Sequence, residues 1–242
     1  ALAIRAEGEE VLTLPRSGAH LVIRQLPGQP WRDASACYPL FGCPRWEGLG
    51  EDLEDLRATA LLTVSLVTDP LTAPSEGRLR QLFDYMQEFK PHFLVELPRF
   101  QPSRHHNAEA RRALRKLEVV ELSEPGHHAE AWCELYAGLM ARKRISGAAA
   151  FSATSLRRQL HVSGVRVFAA LRHGQMCGMQ LWYRCEDRAY YHLAASSEVG
   201  YRDGAAYALM HSALHTFAAE GLREANLGGV PDGQPQSSGL DY

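Results

Sequence analysis

Between residues 188 and 229 the sequence sets proton-carrying side chains beside a backbone feature suited to negative charge. His192 falls in a stretch of strand composition, Glu198 in the turn after it, and Tyr201 and Tyr207 at the start of the helical stretch that follows. An imidazole, carboxylate or phenol can take a proton from a reacting group when it stands within about 3 Å of it or one water away. The turn carries Gly200 and Gly204, with Ala206 beyond. A strand that passes through glycines into a helix leaves the first helical N–H groups unpaired at the positive end of the helix dipole, where phosphate or an oxyanion binds. Asp203 stands beside that turn as a candidate cap, whose carboxylate would compete with an incoming anion. Asn226, just before Gly228-Gly229, is a candidate substrate ligand. Upstream, a helical advance of about 100° per residue puts Arg104, Arg111 and Arg115 within an arc of about 40°, with Asn107 beside them. Such a row of guanidinium groups fits phosphate or carboxylate, and a solvated helix face has the same pattern.

The elements that must position these groups follow from periodicity and turn chemistry. Val165 to Leu171, Gln175 to Arg184 and Arg188 to Ala194 are strand-like runs separated by Arg172-His173-Gly174 and Glu186-Asp187, which predicts a three-stranded antiparallel meander. A helix from Gly204 to Glu220, ended by Gly221, buries Ala206, Met210, Ala213, Leu214 and Phe217. Ser103 caps a helix reaching about Lys116, a strand covers Leu117 to Leu122, and helices follow at about His127–Arg144 and from Ser152 or Ser155 to His161. In the first hundred residues, strands are expected at Val11–Leu14, His20–Gln25, Leu61–Val67 and His92–Leu97, and a helix at Gly77–Phe89. Residues 38–46 read as a packed irregular loop.

Composition narrows the classes. With 242 residues and 45% hydrophobic content the chain suffices for one large domain or two smaller ones. No apolar run approaches the roughly 20 residues of a spanning helix and no leader opens the chain, so the expectation is a soluble, cytoplasmic protein. Five cysteines without a C-x-x-C pair predict reduced, mostly buried thiols. None of the 11 histidines lies in a helical H-E-x-x-H pattern, and no metal is expected. The net charge of −2 conceals a basic middle: no Asp or Glu falls between Glu134 and Glu186, whereas Arg142, Lys143, Arg144, Arg157, Arg158, Arg166, Arg172 and Arg184 do. These cations either attract an anionic partner or pair with the acidic flanks.

The chain resembles the FemAB-type branch of the GNAT acyltransferase superfamily. The segments that carry the resemblance are Ser103-Arg104-His105-His106-Asn107-Ala108-Glu109-Ala110-Arg111-Arg112-Ala113-Leu114-Arg115, then Arg142-Lys143-Arg144-Ile145-Ser146-Gly147 followed by Phe151-Ser152, the meander, Leu227-Gly228-Gly229 and the terminal Ser238-Gly239-Leu240-Asp241-Tyr242. The resemblance implies an α/β (α+β) fold of two GNAT-like halves with mixed, largely antiparallel sheets flanked by helices. The halves would be a degenerate 1–122 and a C-terminal 123–242, the latter lacking its last strand. It further implies transfer of an acyl or aminoacyl group from an acyl-CoA-type donor to an amine of a cell-envelope or polysaccharide-related acceptor.

On that reading His192, Glu198 and Tyr201 are the catalytic set, and Arg202, Gly204 and Ala206 correspond to the pyrophosphate loop. Tyr201 stands where relatives carry Gln or Arg, with Arg202 one place late. Arg104, Asn107, Arg111, Arg115, Arg144, Tyr183 and Asn226 are the substrate- or anion-binding set. Two alternatives remain: an aminoacyl-tRNA-dependent peptidoglycan cross-bridge transferase, which would need a broad basic surface, and a GNAT fold kept for binding without catalysis.

Overall fold

The computed structural model describes residues 10–229. The terminal Ser238–Tyr242 segment of the resemblance lies outside them. Contacts divide the chain into one unit ending at Phe89 and a second beginning at Lys90.

The first unit is a four-stranded sheet in the order β1 (Glu10–Thr13), β2 (His20–Gln25), β3 (Arg32–Ala36), β4 (Leu61–Ser65). β1–β2 and β2–β3 are antiparallel and β3–β4 is parallel. Helix α1 (Leu49–Arg57) contributes Leu49 and Leu56 to a core with Leu21, Ile23, Ala34 and Phe41. The buried Asp52 of α1 accepts hydrogen bonds from the Ser17 N–H (2.7 Å) and hydroxyl (2.6 Å), tying the β1–β2 turn to the helix. Helix α2 (Glu76–Leu82) is shorter than expected, because Phe83 turns extended (φ −121°, ψ 139°) and packs with Leu82 on this core. Tyr85 and Phe89, which the longer helix would have carried, are exposed.

The second unit is a six-stranded mixed sheet in the order β5-β10-β9-β8-β7-β6. Its elements are β5 (His92–Glu96), α3 (Arg104–Leu114), β6 (Glu118–Glu121), α4 (Ala129–Lys143), α5 (Ala153–Gln159), β7 (Val165–Arg172), β8 (Gln175–Cys185), β9 (Arg188–Ser196), α6 (Glu198–Asp203), α7 (Ala205–Ala219) and β10 (Glu224–Gly229). Residues 90–122, assigned to the first half from sequence, supply both edge strands here: β5 pairs with β10 and β6 with β7. The meander β7–β8–β9 is antiparallel as expected. Its turns place His173 (φ 51°), Gly174 (φ 76°) and Glu186 (φ 54°) in the left-handed region that tight hairpins require.

Strand alternation sorts the core into two layers. On β7, Phe168 and Ala170 face α3 and α7, while Val167 and Ala169 face α4 and α5. Helix α7 buries Ala205, Ala208, Leu209, Met210, Ala213, Leu214 and Phe217, whereas Ala206, expected on that stripe, is exposed. Of the five thiols only Cys177 is fully buried and Cys185 is exposed, so "mostly buried" was too strong an expectation.

Arg166 on β7 closes the α7 side. It binds Glu121 of β6 and, at 2.7 and 2.8 Å, both carboxylate oxygens of Glu220 at the end of α7. Its guanidinium also lies 5.3 Å from the Phe217 ring centre. Arg166→Ala leaves two partly buried carboxylates facing each other and should destabilise the fold by about 2 kcal/mol in urea titration, a discounted value because the glutamates keep some solvent. An unchanged midpoint would show the cluster to be ornamental.

Candidate functional site

The groups that sequence reading singled out converge in part on one sheet face, and strand register explains how. Tyr183 on β8 lies opposite Tyr190 on β9, Tyr190 opposite Asn226 on β10, and Asn226 opposite Leu94 on β5. Directly opposed residues project from the same side of a sheet. Trp182 and Tyr191, one position off, belong to the α3/α7 core, so the row Tyr183–Tyr190–Asn226–Leu94 occupies the other face.

His192 joins that row through a β-bulge. The register runs Trp182↔Tyr191 and then Leu181↔Leu193, which leaves His192 as the extra residue on β9. Bulges re-aim side chains. Here the imidazole meets the Tyr183 ring at 4.8 Å between centroids, with Phe151 at 6.5 Å. His192 Nε2 lies 3.0 Å from Gln159 Oε1 of α5, and Gln159 Nε2 donates to Ser155 Oγ at 3.3 Å. The carbonyl oxygen of Gln159 accepts, so Nε2 of His192 carries the proton and Nδ1 holds the lone pair. Burial pushes the imidazole down to about 4, which keeps it neutral at pH 7.

Beside this cluster the sheet opens. β9 and β10 run parallel and pair only over Arg188–Tyr190 and Glu224–Asn226, yet β9 continues to Ser196 and β10 to Gly229. The register of β10 on β5 shifts over the same residues, and Gly228 there has φ 99°. Asn226 sits at the point of separation. Its Oδ1 accepts from the Gly228 N–H at 2.9 Å and lies 3.0 Å from His92 Nδ1.

The glycine turn is built differently from the sequence expectation. Ser197, not Asp203, is the side-chain cap: it accepts from the Gly200 N–H at 3.2 Å and starts the short helix α6. Gly204 (φ 81°) then links α6 to α7, and a Cβ there would lie 3.3 Å from that of Ala113 on α3, so the glycine also permits close helix packing. The Asp203 carboxylate is buried and takes Lys116 Nζ at 3.0 Å and Arg172 Nε at 3.0 Å, the latter an ion pair without an aligned hydrogen bond. The Lys116 hydrogen bond foremost, then the Arg172 charge, hold its carboxyl below the ordinary range. No side chain caps the start of α7, so Asp203 does not occupy the N–H groups there as a cap.

Glu198, Tyr201 and Arg202 are exposed on α6. Tyr201 lies under the Arg142 guanidinium, 5.6 Å from the ring centre, and Arg142 also donates to the Ser196 carbonyl at 3.2 Å. Arg144, the left-handed cap of α4, is exposed. Arg104, Arg111 and Arg115 are exposed on α3 opposite the buried Ala110 and Ala113, with Asn107 half-buried. Arg115 and Lys116 border a groove of about 390 Å³ that ends at the His173-Gly174 turn. Several middle-region arginines are paired: Arg157 with Glu130, Arg166 with Glu121 and Glu220, Arg172 with Asp203, Arg184 with Glu220. Among the described residues no group of three or more His, Cys, Asp or Glu side chains could hold a metal ion.

Sequence reading missed Gln159, Phe151, Tyr190 and His92. Nothing local gives them a place in the site, not even the Phe151-Ser152 pair of the resemblance, because only register and the α5–sheet packing bring them to Tyr183, His192 and Asn226.

A sequence model described as an acetyltransferase (GNAT) domain matches residues 104–236, more than half of the chain. The chain belongs to the GNAT acetyltransferase family. No curated protein sequence matches this GNAT chain. Solved structures with the same fold include the C-terminal domain of a protein assigned as a lysylphosphatidylglycerol synthetase in Agrobacterium fabrum, at TM-score 0.69 and 16% identity over 95% of this chain and 72% of that one. FemX matches at TM-score 0.66 and 12% identity over 98% of this chain and 83% of that one. The L-PGS of Bacillus licheniformis matches at 0.66 and 13% over 95% and 71%. At these identities the likeness is one of fold, and it extends over both units of the GNAT chain.

Proposed function

We propose that this protein transfers an acyl group from an acyl-CoA-type thioester to an amine of a cell-envelope-related acceptor, on the cytoplasmic side. The observation that carries the reading is the parting of β9 from β10 beside Tyr183, His192 and Asn226. Past Tyr190, β9 runs on without β10 in register, and an extended thioester arm can lie along it as an added strand. The amine nitrogen then adds to the acyl carbon, and the carbonyl electron pair moves to oxygen. The ammonium so formed gives its proton to His192, directly or through water; the oxygen electron pair then re-forms the carbonyl and expels the sulfur, which takes up that proton from the imidazolium or through water as the C–S bond breaks. Glu198 and Tyr201, on α6 just past β9, serve in this reading as acceptor-binding or proton-relay groups, and Arg202, Gly204 and Ala206 as the donor's phosphate end. A fold relative assigned as a lysylphosphatidylglycerol synthetase supports an envelope acceptor. No helix among the described residues is long and apolar enough to cross a membrane.

One observation favours a second reading, an aminoacyl-tRNA donor: Arg104, Arg111 and Arg115 form an exposed cationic row on α3. Against it, four arginines of the basic middle region are committed to carboxylates. A thermal-shift panel of acetyl-CoA, a long-chain acyl-CoA, free CoA and tRNA separates the readings. Saturation at about 100 times Kd adds about 2.7 kcal/mol, which is several degrees of Tm for a chain of this size. We expect that rise with acyl-CoA. A rise with tRNA alone selects the second reading, and no rise with any of the four removes both and leaves a binding module.

A further inference from the structure

Asn226 is 2% exposed, and both of its hydrogen bonds, to the Gly228 N–H and to His92, run to one end of the amide. A backbone N–H can only donate, so the Gly228 N–H fixes which end is oxygen. His92 Nδ1 must then also donate to Oδ1, which sets the His92 tautomer and leaves the amide no freedom to flip. Nδ2, with two N–H groups, is enclosed and has no hydrogen-bond partner. Buried donors are paired as a rule, and one held in place without an acceptor calls for an acceptor from outside the fold.

Its position says which acceptor. Asn226 is the last β10 residue in register with β9, in the same cross-strand row as Tyr183 and Tyr190, at the mouth of the separation. During acyl transfer the attacking nitrogen spends its lone pair on the new bond, and sulfur is a poor acceptor. The acyl oxygen is the one reacting atom that gains negative charge.

We propose that Asn226 Nδ2 binds the acyl carbonyl oxygen and stabilises the charge that develops there as the amine adds. This rests on the acyl-transfer reading above. Because a thioester and an aminoacyl ester share that oxygen, the role does not depend on which donor is used. Asn226 would be a catalytic residue, with His92 and the Gly228 N–H as positioning groups. Since Nδ2 is enclosed, the side chains over the row must move aside for the acyl oxygen to reach it.

Asn226→Asp keeps the shape of the side chain and the oxygen that Gly228 and His92 use, and replaces the donor with a second oxygen. Its kcat should fall about 10²- to 10³-fold with KM changed by a few-fold. The ratio of variant to wild-type kcat should rise as pH falls through the pKa of the new carboxyl, whose protonated form can donate again. A purely structural role would give no such recovery. Should the variant fold poorly, the wild-type protein decides the matter. The ¹⁵N-labelled Asn226 side-chain amide should shift on addition of acetyl-CoA and move little with free CoA, which lacks the acyl oxygen. Wild-type kcat in Asn226→Asp, or equal shifts with acetyl-CoA and free CoA, overturns the inference while turnover of acetyl-CoA leaves the acyl-transfer reading standing. Failure of every CoA species and of tRNA to raise Tm removes that reading itself, and this inference with it.

Discussion

A Gly200→Ala protein should lose at least about 3 kcal/mol of stability, enough to bring a marginal domain close to unfolding at physiological temperature. A Cβ at position 200 would stand 2.1 Å from the backbone carbonyl oxygen of Cys177 and 3.3 Å from Ser196 Cβ. The carbonyl cannot rotate away cheaply, because it accepts from the Ser197 N–H at 2.9 Å and its hydroxyl at 3.3 Å. Relief would require α6 to lift off β8, and the Ser197 cap and the Asp203 ion pairs would go with it. Urea denaturation of both proteins measures the difference, and a loss below 1 kcal/mol would show that α6 can slide without consequence.

His192 should reveal itself in both rate and acid stability. Its imidazole titrates near 4 when folded, because burial penalises the cation, against about 6.5 in the unfolded chain. Between those values the unfolded chain binds more protons than the folded one, so stability rises with pH across the window. The stabilisation is complete above about pH 6.5 and is lost as pH falls to 4. The difference amounts to about 3 kcal/mol. His192→Gln, which cannot titrate, should flatten that part of the stability curve and, on the acyl-transfer reading, lower kcat by about 10²- to 10⁴-fold. A wild-type rate in His192→Gln would take the residue out of the chemistry. A curve that keeps its slope would place the acid-sensitive group elsewhere.

The meander was legible because its turns are chemical statements: His173-Gly174 and the Glu186 position need left-handed backbone, and polar or glycine residues mark such places. β3 was not, since Arg32-Asp33-Ala34-Ser35-Ala36 has no apolar alternation and only Ala34 is buried. Helix α1 went unnoticed for want of a capping residue: Gly48 precedes it and makes no side-chain cap. The candidate site was half readable. Tyr183, His192 and Asn226 were visible as residue types, but their meeting depends on a bulge and on a parallel pairing between strands separated in sequence by two helices. Asp203 shows the limit from the other side. Local rules made it a cap, whereas its partners Lys116 and Arg172 come from another helix end and another strand, where no local rule looks.

The strand order also sets an order of folding. β7, β8 and β9 follow one another through two-residue turns and can zip up from local contacts. β5 is made before all of them, yet among the described residues its one neighbour in the sheet is β10, so His92 finds Gly229 across most of the second unit's length. Pairings of such sequence separation carry the largest loop-closure cost and form late. During synthesis β5 therefore waits as an unpaired edge until β10 has been made and slots in between it and β9. The seam that holds Asn226 is thus built on the pairing of largest sequence separation among the described strands of the second unit, and the proposed reaction centre depends on that long-range closure.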